Sequence, residues 1–434
     1  MNMKNIREVS DELRDYINTK KDIKAQYTVS ETETREITME NGDFSLFRTL
    51  FDNNVTVKVI KDNKIGNTSG NKFEKKALEK TVEDAILSAE SGAADVCYDI
   101  APGMEPAVFH KGPMEPDIDK LMQRAIELSD TIKEKYKKVL VMQIMLQYVK
   151  EHSFYRNTNG SEDENYSAYY LVSVEFAGND GADSTGICGT YAVTDDLSRP
   201  FMELGNIESD ICDAQNALNP VSVEGKFEGS VIFTPDAMAQ MMQFAFSSFI
   251  DDTNILSGDA KWLGKLEEKV ASEKLTVAIK PWDDRIFGTE VHTEDGFRSK
   301  DFVLIENGTL KSYLTSLYVA NKCNVPRAKN NEMAFIVSAG ESNYADMIKT
   351  MDKGLIIGAI SCGIPGANGE ISGVAKNSFY VENGERKAAV TETMVSFNLS
   401  DMFLNIKEIS KETVSDGTKV MPYIKVGGIT ISGK

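Results

Sequence analysis

The chain has 434 residues, of which 41% are hydrophobic and 26% charged, and its formal net charge is −19. This length exceeds one ordinary core and predicts two or three domains, and the composition is that of a globular protein. The negative charge excludes nucleic acid as the expected ligand, because a phosphate backbone binds clustered Lys and Arg. No apolar run approaches the roughly 20 residues of a membrane span, so no membrane contact is expected.

The start of the chain and its cysteines predict a cytoplasmic protein. The first 22 residues lack the apolar core of a signal peptide and are typical of a polar amphipathic helix. The five cysteines are odd in number, scattered and without a CxxC pair. We therefore expect small apolar core residues in a reducing compartment. They are Cys97, Cys188, Cys212, Cys323 and Cys362.

The first predicted unit is an N-terminal α/β sandwich at residues 1–108. A helical apolar period predicts helices at 7–20 and 73–91. Between them, three or four strand-like runs are separated by turn signals, and Val residues alternate with polar ones over 55–59. The proline-rich stretch 99–117 is expected to be an extended linker.

The second predicted unit, residues 109–222, is an α+β meander region. It contains expected helices at 118–137 and 207–218, and strands joined by the turn RNTNG. The sequence GNDGAD at 178–183 favours a tight turn over a calcium loop, because the DxDxDG spacing is missing. Residues 219–223 are expected to be a linker.

The third predicted unit, residues 223–434, is a strand-rich α+β domain. It opens with a short buried strand at 231–233 that leads into a helix with Thr234 as its N-cap and Pro235 at its first position. Further helices are expected at 344–351 and 399–409. The remainder reads as strands and turns, including NEMAFIVSAGE and a final strand pair in MPYIKVGGITISGK. The whole pattern predicts the α+β class without regular βαβ alternation.

Motifs for chemistry are sparse. The three histidines, His110, His152 and His292, are far apart, and HExxH, Cys₂His₂, Cys₄ and GxSxG patterns are absent. Two alternatives stay open. One is a magnesium or calcium site made of carboxylates. The other is a nucleophile, Ser361 or Cys362, assembled in space with His292.

Several segments, in one order and spacing, resemble the TldD/PmbA family over nearly the whole chain. Proteins of that family were once named modulators of DNA gyrase and are grouped with metalloproteases. The matching segments are ITMENGDFSLFRTLFDNNVTVKVIKDNKIGNTSG, FYRNTNG, GSVIFTPDAMAQMM, TEDGFRSKDFVLIENGTLKSYLTSLYVANK, NEMAFIVSAGES, LIIGAISCGIPGANGEISGVAKNSFYVENGERKAAVTETMVSFNLSDMFLNI and MPYIKVGGITISGK.

The resemblance also implies which member type this is. In that family, a TldD-like subunit carries HExxxH at the strand-to-helix junction and a Cys near the C-terminus, and its PmbA/TldE-type sibling lacks both. This sequence lacks both, since SDGTKVMPYIK contains no Cys. The vestigial metal-site position is Thr234, Pro235, Asp236 and Gln240. We therefore expect no catalytic residue, metal ligand or cofactor in this chain, and zinc in the partner subunit.

The resemblance implies a non-catalytic subunit of a two-subunit metalloprotease that degrades or matures unfolded peptides. Its expected partners are a TldD-like metal-bearing subunit and a peptide substrate. The candidate peptide-binding or chamber-lining residues lie in a glycine-rich loop: Gly366, Asn368, Gly369, Glu370, Ser372 and Gly373. Two alternatives are a stand-alone homodimeric peptidase or hydrolase, and a binding protein that modulates DNA gyrase.

The helix that begins at Thr234 has two further predicted roles. Its Met and Phe residues are expected to form a core face, or an apolar surface for a homodimer. Its polar stripe is expected to face either a cavity wall or water. The stripe consists of Asp236, Gln240, Gln243 and Ser247.

Overall fold

The computed structural model describes residues 5–330 and 334–434, and it has the predicted α+β fold with two large sheets. The first three residues of the predicted strand NEMAFIVSAGE lie outside the described residues, and its later part forms a strand. Within the described ranges, no helix combines the length and the apolar character that a membrane crossing needs.

In the described part of the chain, seven strands form the first sheet. They are β1 (Ile23–Glu40), β2 (Asp43–Lys61), β3 (Lys64–Gly70), β4 (Ala107–Lys111), β5 (Val139–Asn157), β6 (Glu162–Gly178) and β7 (Cys188–Thr194). Their order is β3-β2-β1-β5-β6-β4, with β7 also beside β6. The pairing of β1 with β5 joins strands from the ranges 1–108 and 109–222 in one sheet. The domain boundaries at 108 and 222 stay predictions.

Helices pack against one face of this sheet. They are α1 (Ile6–Asn18), α2 (Lys75–Ser91), α3 (Ile118–Lys135) and α4 (Ile207–Asn216), with a short 3₁₀ turn at Phe201–Glu203. The alternating Val55, Val57 and Val59 point into a core that also contains Leu13 and Val82. The four helices predicted in this part of the sequence are confirmed, with ends that differ by up to two residues.

Fourteen strands of the described residues form the second sheet. They are β8 (Val221–Ser222), β9 (Lys226–Phe233), β10 (Val277–Ile279), β11 (Phe302–Glu306), β12 (Thr309–Leu310), β13 (Phe335–Val337), β14 (Lys353–Ile357), β15 (Ala359–Ser361), β16 (Glu370–Lys376), β17 (Phe379–Glu382), β18 (Glu385–Thr391), β19 (Met394–Asn398), β20 (Ile406–Ser415) and β21 (Val420–Ser432). At its centre, β9 pairs in parallel with β14 and antiparallel with β21.

Five helices accompany the second sheet within the described residues. They are α5 (Pro235–Phe249), α6 (Asp252–Ser257), α7 (Leu317–Cys323), α8 (Tyr344–Lys349) and α9 (Leu399–Leu404). The Met and Phe side chains of α5 lie fully inside the main core, beside Trp262, Phe335 and Phe403. The prediction of a core helix is confirmed, and the alternative, an apolar dimer surface on this helix, is wrong.

Two predicted linkers contain strands. The stretch 99–117 includes β4, which pairs with β6, and the stretch 219–223 includes β8, which pairs with β18. These strands pair at sheet edges, where backbone hydrogen bonds suffice and the sequence carries no strong apolar alternation. The predicted tight turn at 178–183 is confirmed, with Gly181 at φ +87°.

Two predictions near the C-terminus are corrected. The helix expected at 399–409 ends at Leu404, because β20 starts at Ile406 and pairs with β21. The expected final strand pair is the single strand β21, whose pairing with β9 shifts between Val426 and Ile429. Gly428 has φ +77°, a conformation that glycine adopts freely, so the two glycines make a bulge rather than a turn.

Candidate functional site

The junction between β9 and α5 is fixed by hydrogen bonds at the start of the helix. Thr234 donates its backbone N–H to the Ile357 carbonyl at 3.0 Å, which joins the junction to β14. Its hydroxyl accepts from the Ala237 N–H at 3.4 Å, as expected of an N-cap. Pro235 is buried at the first helical position, where no amide is needed. The next side chain, Asp236, leaves the helix toward its surroundings.

Asp236 makes an ion pair with the C-terminal part of the chain. Its Oδ1 lies 3.0 Å from Nζ of Lys419, and its Oδ2 accepts from Nδ2 of Asn206 at 2.7 Å. Lys419 also pairs with Asp416. The junction residues and the segment SDGTKVMPYIK, the two places where the sequence resemblance locates metal ligands, are therefore in direct contact.

This ion pair lies in the wall of a cavity of about 460 Å³. The cavity is formed by the junction, the helix α4, the strand β7 and the segments around β15, β17 and β21. Its charged and tyrosine side chains are Tyr191, Asp210, Asp213, Asp236, Tyr344, Arg386, Asp416, Lys419 and Tyr423. Four of these are aspartates, two are cations, and Cys188 and several hydroxyl and amide groups complete the lining.

The buried charges of the cavity are unevenly paired. Asp213 contacts Arg386 at 2.6 Å, and Asp416 contacts Lys419, but Asp210 has no basic partner among the ion pairs of the described residues. Burial, with Asp236 and Asp213 nearby, raises the pKa of Asp210 to about 7, although Thr190 hydrogen-bonds to it. A carboxyl group in this state exchanges a proton near neutral pH.

Lys419 stays charged in spite of its burial. Burial disfavours the ammonium form, but the carboxylates of Asp236 and Asp416 outweigh this and raise the pKa of Lys419. The Lys419 side chain is 14% exposed and that of Asp416 is 4% exposed. The two residues therefore place a fixed positive charge and its counter-charge in the wall of the cavity.

The lining does not fit a zinc ion. It contains no histidine and one cysteine, whereas protein zinc sites are built mainly from Cys and His ligands. Among the described residues, no group of three or more His, Cys, Asp or Glu side chains is arranged to hold a metal ion. The Lys419 ammonium also lies between two of the four aspartates, where it repels a divalent cation.

The other residues of the predicted polar stripe on α5 differ in their surroundings. Gln240 donates Nε2 to the Ile360 carbonyl at 3.3 Å and so ties the helix to β15. Ser247 is partly buried, and its backbone carbonyl accepts from Asn254. Gln243 is exposed to solvent. Of the four stripe residues, Asp236 is therefore the one that lines this cavity.

The predicted glycine-rich loop is partly strand. Residues 370–374 pair with β19, and Ser372 Oγ lies 3.1 Å from Ser396 Oγ. Gly369 has φ +75°, and a Cβ there would lie 2.6 Å from Cζ of Phe249, so the turn is built around glycine. None of Gly366, Asn368, Gly369, Glu370, Ser372 or Gly373 lines the cavity at the junction. A peptide-binding role for these residues stays a prediction.

A second, polar cavity of about 730 Å³ lies between the uncovered face of the first sheet and residues 288–294. His292 lines it and contacts Asp163, with Nε2 2.8 Å from Oδ2. Arg298 donates Nε to the same oxygen at 2.7 Å. Burial opposes the ionisation of Asp163, but His292 and Arg298 outweigh it and lower its pKa. Neither Ser361 nor Cys362 lines this cavity, so the structure does not assemble the alternative nucleophile with His292.

Most of the charged lining was missed by sequence reasoning. Asp210 and Asp213 are three residues apart on α4, a spacing that puts both on one helix face. Asp416 and Lys419 fall inside the segment where the resemblance locates a cysteine. The sequence therefore contained a signal for each pair, but not for their meeting with Asp236, which depends on the pairing of β9 with β21.

Comparison with known proteins agrees with this architecture. Residues 226–433 match the model of the PmbA/TldA metallopeptidase C-terminal domain, and residues 28–89 match the model of PmbA/TldA metallopeptidase domain 1. The chain belongs to the PmbA/TldD family. The family is metalloprotease-related, and the two matches include the β9–α5 junction and Lys419.

Relatives and solved structures of the family match over almost the whole chain. The Escherichia coli O157:H7 protein named metalloprotease PmbA is 23% identical, with 93% of this chain and 92% of that protein covered. TldE from Thermococcus kodakarensis has the same fold, with a TM-score of 0.81, 19% identity and coverage of 98% and 99%. A Bacteroides thetaiotaomicron protein, whose name refers to modulation of DNA gyrase, gives a TM-score of 0.85 at 17% identity, with both chains fully covered.

Proposed function

We propose that this chain is the non-catalytic, metal-free subunit of a two-subunit metalloprotease that degrades or matures unfolded peptides. The partner is a TldD-like subunit that carries HExxxH and holds zinc. When bound there, zinc polarises the scissile carbonyl and activates water. This chain supplies structure and a wall of the space in which the peptide is held, and we place the complex in the cytoplasm.

The observation that supports the proposal is the Asp236–Lys419 ion pair. It lies where two sequence segments meet that, in the metal-bearing type, are expected to supply the ligands. A buried ammonium group at that position opposes a second cation. The absence of histidine from the lining removes the ligand type that zinc sites use most.

The proposal is tested by hydrolysis of an unstructured fluorogenic peptide. Four samples are compared: this chain, its HExxxH-bearing sibling, the mixture, and the mixture with a zinc chelator. We expect rapid hydrolysis in the mixture, loss with the chelator, and recovery on zinc addition. The metal content of each purified subunit, measured by mass spectrometry, should show zinc in the sibling.

A matched control locates the catalysis. A sibling in which the Glu of HExxxH is replaced by Gln should form the mixture but leave the peptide uncleaved. Chelator-resistant hydrolysis by this chain alone, which persists through further purification, would contradict the proposal. It would favour the alternative of a stand-alone homodimeric peptidase, whose catalytic group would then be sought first around Cys362.

The glycine-rich loop is the part of this chain that we propose to contact the peptide. An extended peptide binds by adding to the edge of a sheet, and small side chains leave the backbone accessible. The test is the double variant Asn368→Ala with Glu370→Ala, assayed in the mixture. A raised KM at unchanged kcat is expected, whereas unchanged turnover would remove the loop from the proposal. Because Glu370 accepts from Asn398 at 2.9 Å, the folding of the variant is checked by circular dichroism.

A second function, suggested by the names of related structures, is binding to DNA gyrase. The net charge of −19 supports it only in a general way, because an acidic surface competes with DNA for a basic groove. The discriminating measurement is direct binding of this chain to gyrase at two salt concentrations. Salt-sensitive binding at micromolar protein would favour this function over the peptidase subunit.

A further inference from the structure

The outer half of β2 is an open edge of the first sheet. Residues 43–61 pair with β1 along their whole length, but β3 covers only residues 55–61 on the other side. Among the described residues, no strand pairs with residues 43–54 on that side. Every side chain from 45 to 54 is exposed. We call residues 43–54 the β2 edge.

The β2 edge carries large apolar side chains. Phe51 is 71% exposed and Phe47 56% exposed, and Leu46 and Leu50 are 37% and 39% exposed. Open edges in proteins are usually protected by Pro, Lys, bulges or short length, since they pair readily with other strands. The β2 edge, DFSLFRTLFDNN, contains neither Pro nor Lys and has 12 residues. Its chemistry is that of a strand that receives a partner strand.

We propose that the β2 edge binds the same edge of a second copy of this chain, so that two first sheets join into one. The pairing is antiparallel and centred on Thr49. In this register, Phe47 lies opposite Phe51 of the second copy, and the two-fold axis repeats this pair. Thr49 faces its own equivalent, and residues 44–54 are all paired. A contact of this kind is isologous, the usual arrangement of a homodimer.

The charges of the edge suit this register. Arg48 and Asp52 of one copy become diagonal neighbours of Asp52 and Arg48 of the other, on the same face of the joined sheet. Opposite charges at such positions attract, whereas a register centred on Arg48 would place like charges opposite each other. Arg48 is already held at the edge by Glu36 of β1, with Nη2 2.9 Å from Oε1.

Other apolar surfaces fit a second copy less well. The Met and Phe side chains of α5 lie in the core and are not available. Of the other exposed residues, Leu87 on α2 and Ile126 on α3 are single side chains on helices, without unpaired backbone beside them. The β2 edge combines apolar area with backbone donors and acceptors over roughly 37 Å, at about 3.4 Å per residue. This inference does not depend on the proposed function.

The experiment measures mass in solution by light scattering and by sedimentation. The wild-type chain should be a dimer of about twice 48.0 kDa. Phe47→Lys with Phe51→Lys places lysine opposite lysine at both symmetric positions, and it should raise the dimer dissociation constant at least 100-fold. Phe47→Lys with Phe51→Glu places opposite charges there, and it should restore the dimer.

The rescue separates this register from a general loss of apolar surface, because both double variants remove the same two Phe side chains. Leu87→Lys with Ile126→Lys is the matched control and should remain dimeric. Circular dichroism checks that all variants are folded. A monomeric wild-type chain at 50 μM would overturn the proposal, and so would a dimer that survives Phe47→Lys with Phe51→Lys.

Discussion

Replacement of Lys419 by Met tests whether the ion pairs stabilise the cavity. Met keeps the apolar stem of lysine but removes the ammonium group, so Asp236 and Asp416 lose their shared cation. The two aspartates differ in exposure. The Asp236 side chain is 45% exposed and remains hydrated, whereas that of Asp416 is 4% exposed and does not.

The expected cost follows from that difference. Removal of one member of a buried ion pair costs about 3–5 kcal/mol, because an uncompensated charge is left behind. Asp416 still accepts from the backbone N–H groups of Thr418 and Lys419 at 2.8 and 3.0 Å, which places the loss at the low end of this range. We expect the free energy of unfolding to fall by about 3 kcal/mol at pH 7.

The measurement is urea unfolding of the two proteins, followed by circular dichroism. Lys349→Met is the matched control, because Lys349 pairs with Asp346 at 2.8 Å but is 69% exposed, and its loss should cost less than about 1 kcal/mol. Addition of Asp416→Asn to Lys419→Met should recover part of the loss. Equal, small losses for the two lysine variants would refute the reasoning that burial makes the Lys419 pair strong.

Three further predictions concern single positions. The pKa of Asp210 is raised to about 7, so the folded state holds a proton that the unfolded state releases, and stability should fall as pH rises from about 4 to 7; Asp210→Asn should remove this slope, and identical slopes in urea unfolding would contradict it. Thr234→Ala should cost about 1 kcal/mol through loss of the cap, and an unchanged urea midpoint would argue against it. Gly369→Ala should cost about 1–3 kcal/mol, because its φ of +75° and Phe249 both oppose a side chain; unchanged thermal unfolding would show that the loop adjusts freely.

Elements with strong local periodicity were predictable from sequence, and elements made by pairing alone were not. The helix α2 shows a clear apolar stripe, and β9 is a buried run that ends at a capping Thr. In contrast, β4 and β8 have few apolar side chains to reveal them, and they exist because another strand lies beside them. The helix predicted to continue past Leu404 failed for the same reason, since β21 captures the following residues as β20.

The site shows the same division. The sequence located the β9–α5 junction and the altered C-terminal segment, since each lies at a recognisable place along the chain. It did not reveal that Asp236 and Lys419 touch, because their separation along the chain exceeds 180 residues and the contact is created by the pairing of β21 with β9. It also gave no sign that Asp210 would be left without a cation, which depends on which carboxylates the two available cations contact.

That distribution of cations is the strongest physical argument for a changed role of the junction. A vestigial metal site whose ligands were merely lost would leave an open polar cavity. Here Lys419 lies between two aspartates, and Arg386 neutralises a third. The ammonium group takes the electrostatic part that a metal cation would have played, so the fold retains the acidic cavity without the metal. A subunit built in this way keeps the shape of its metal-bearing sibling while giving up its chemistry.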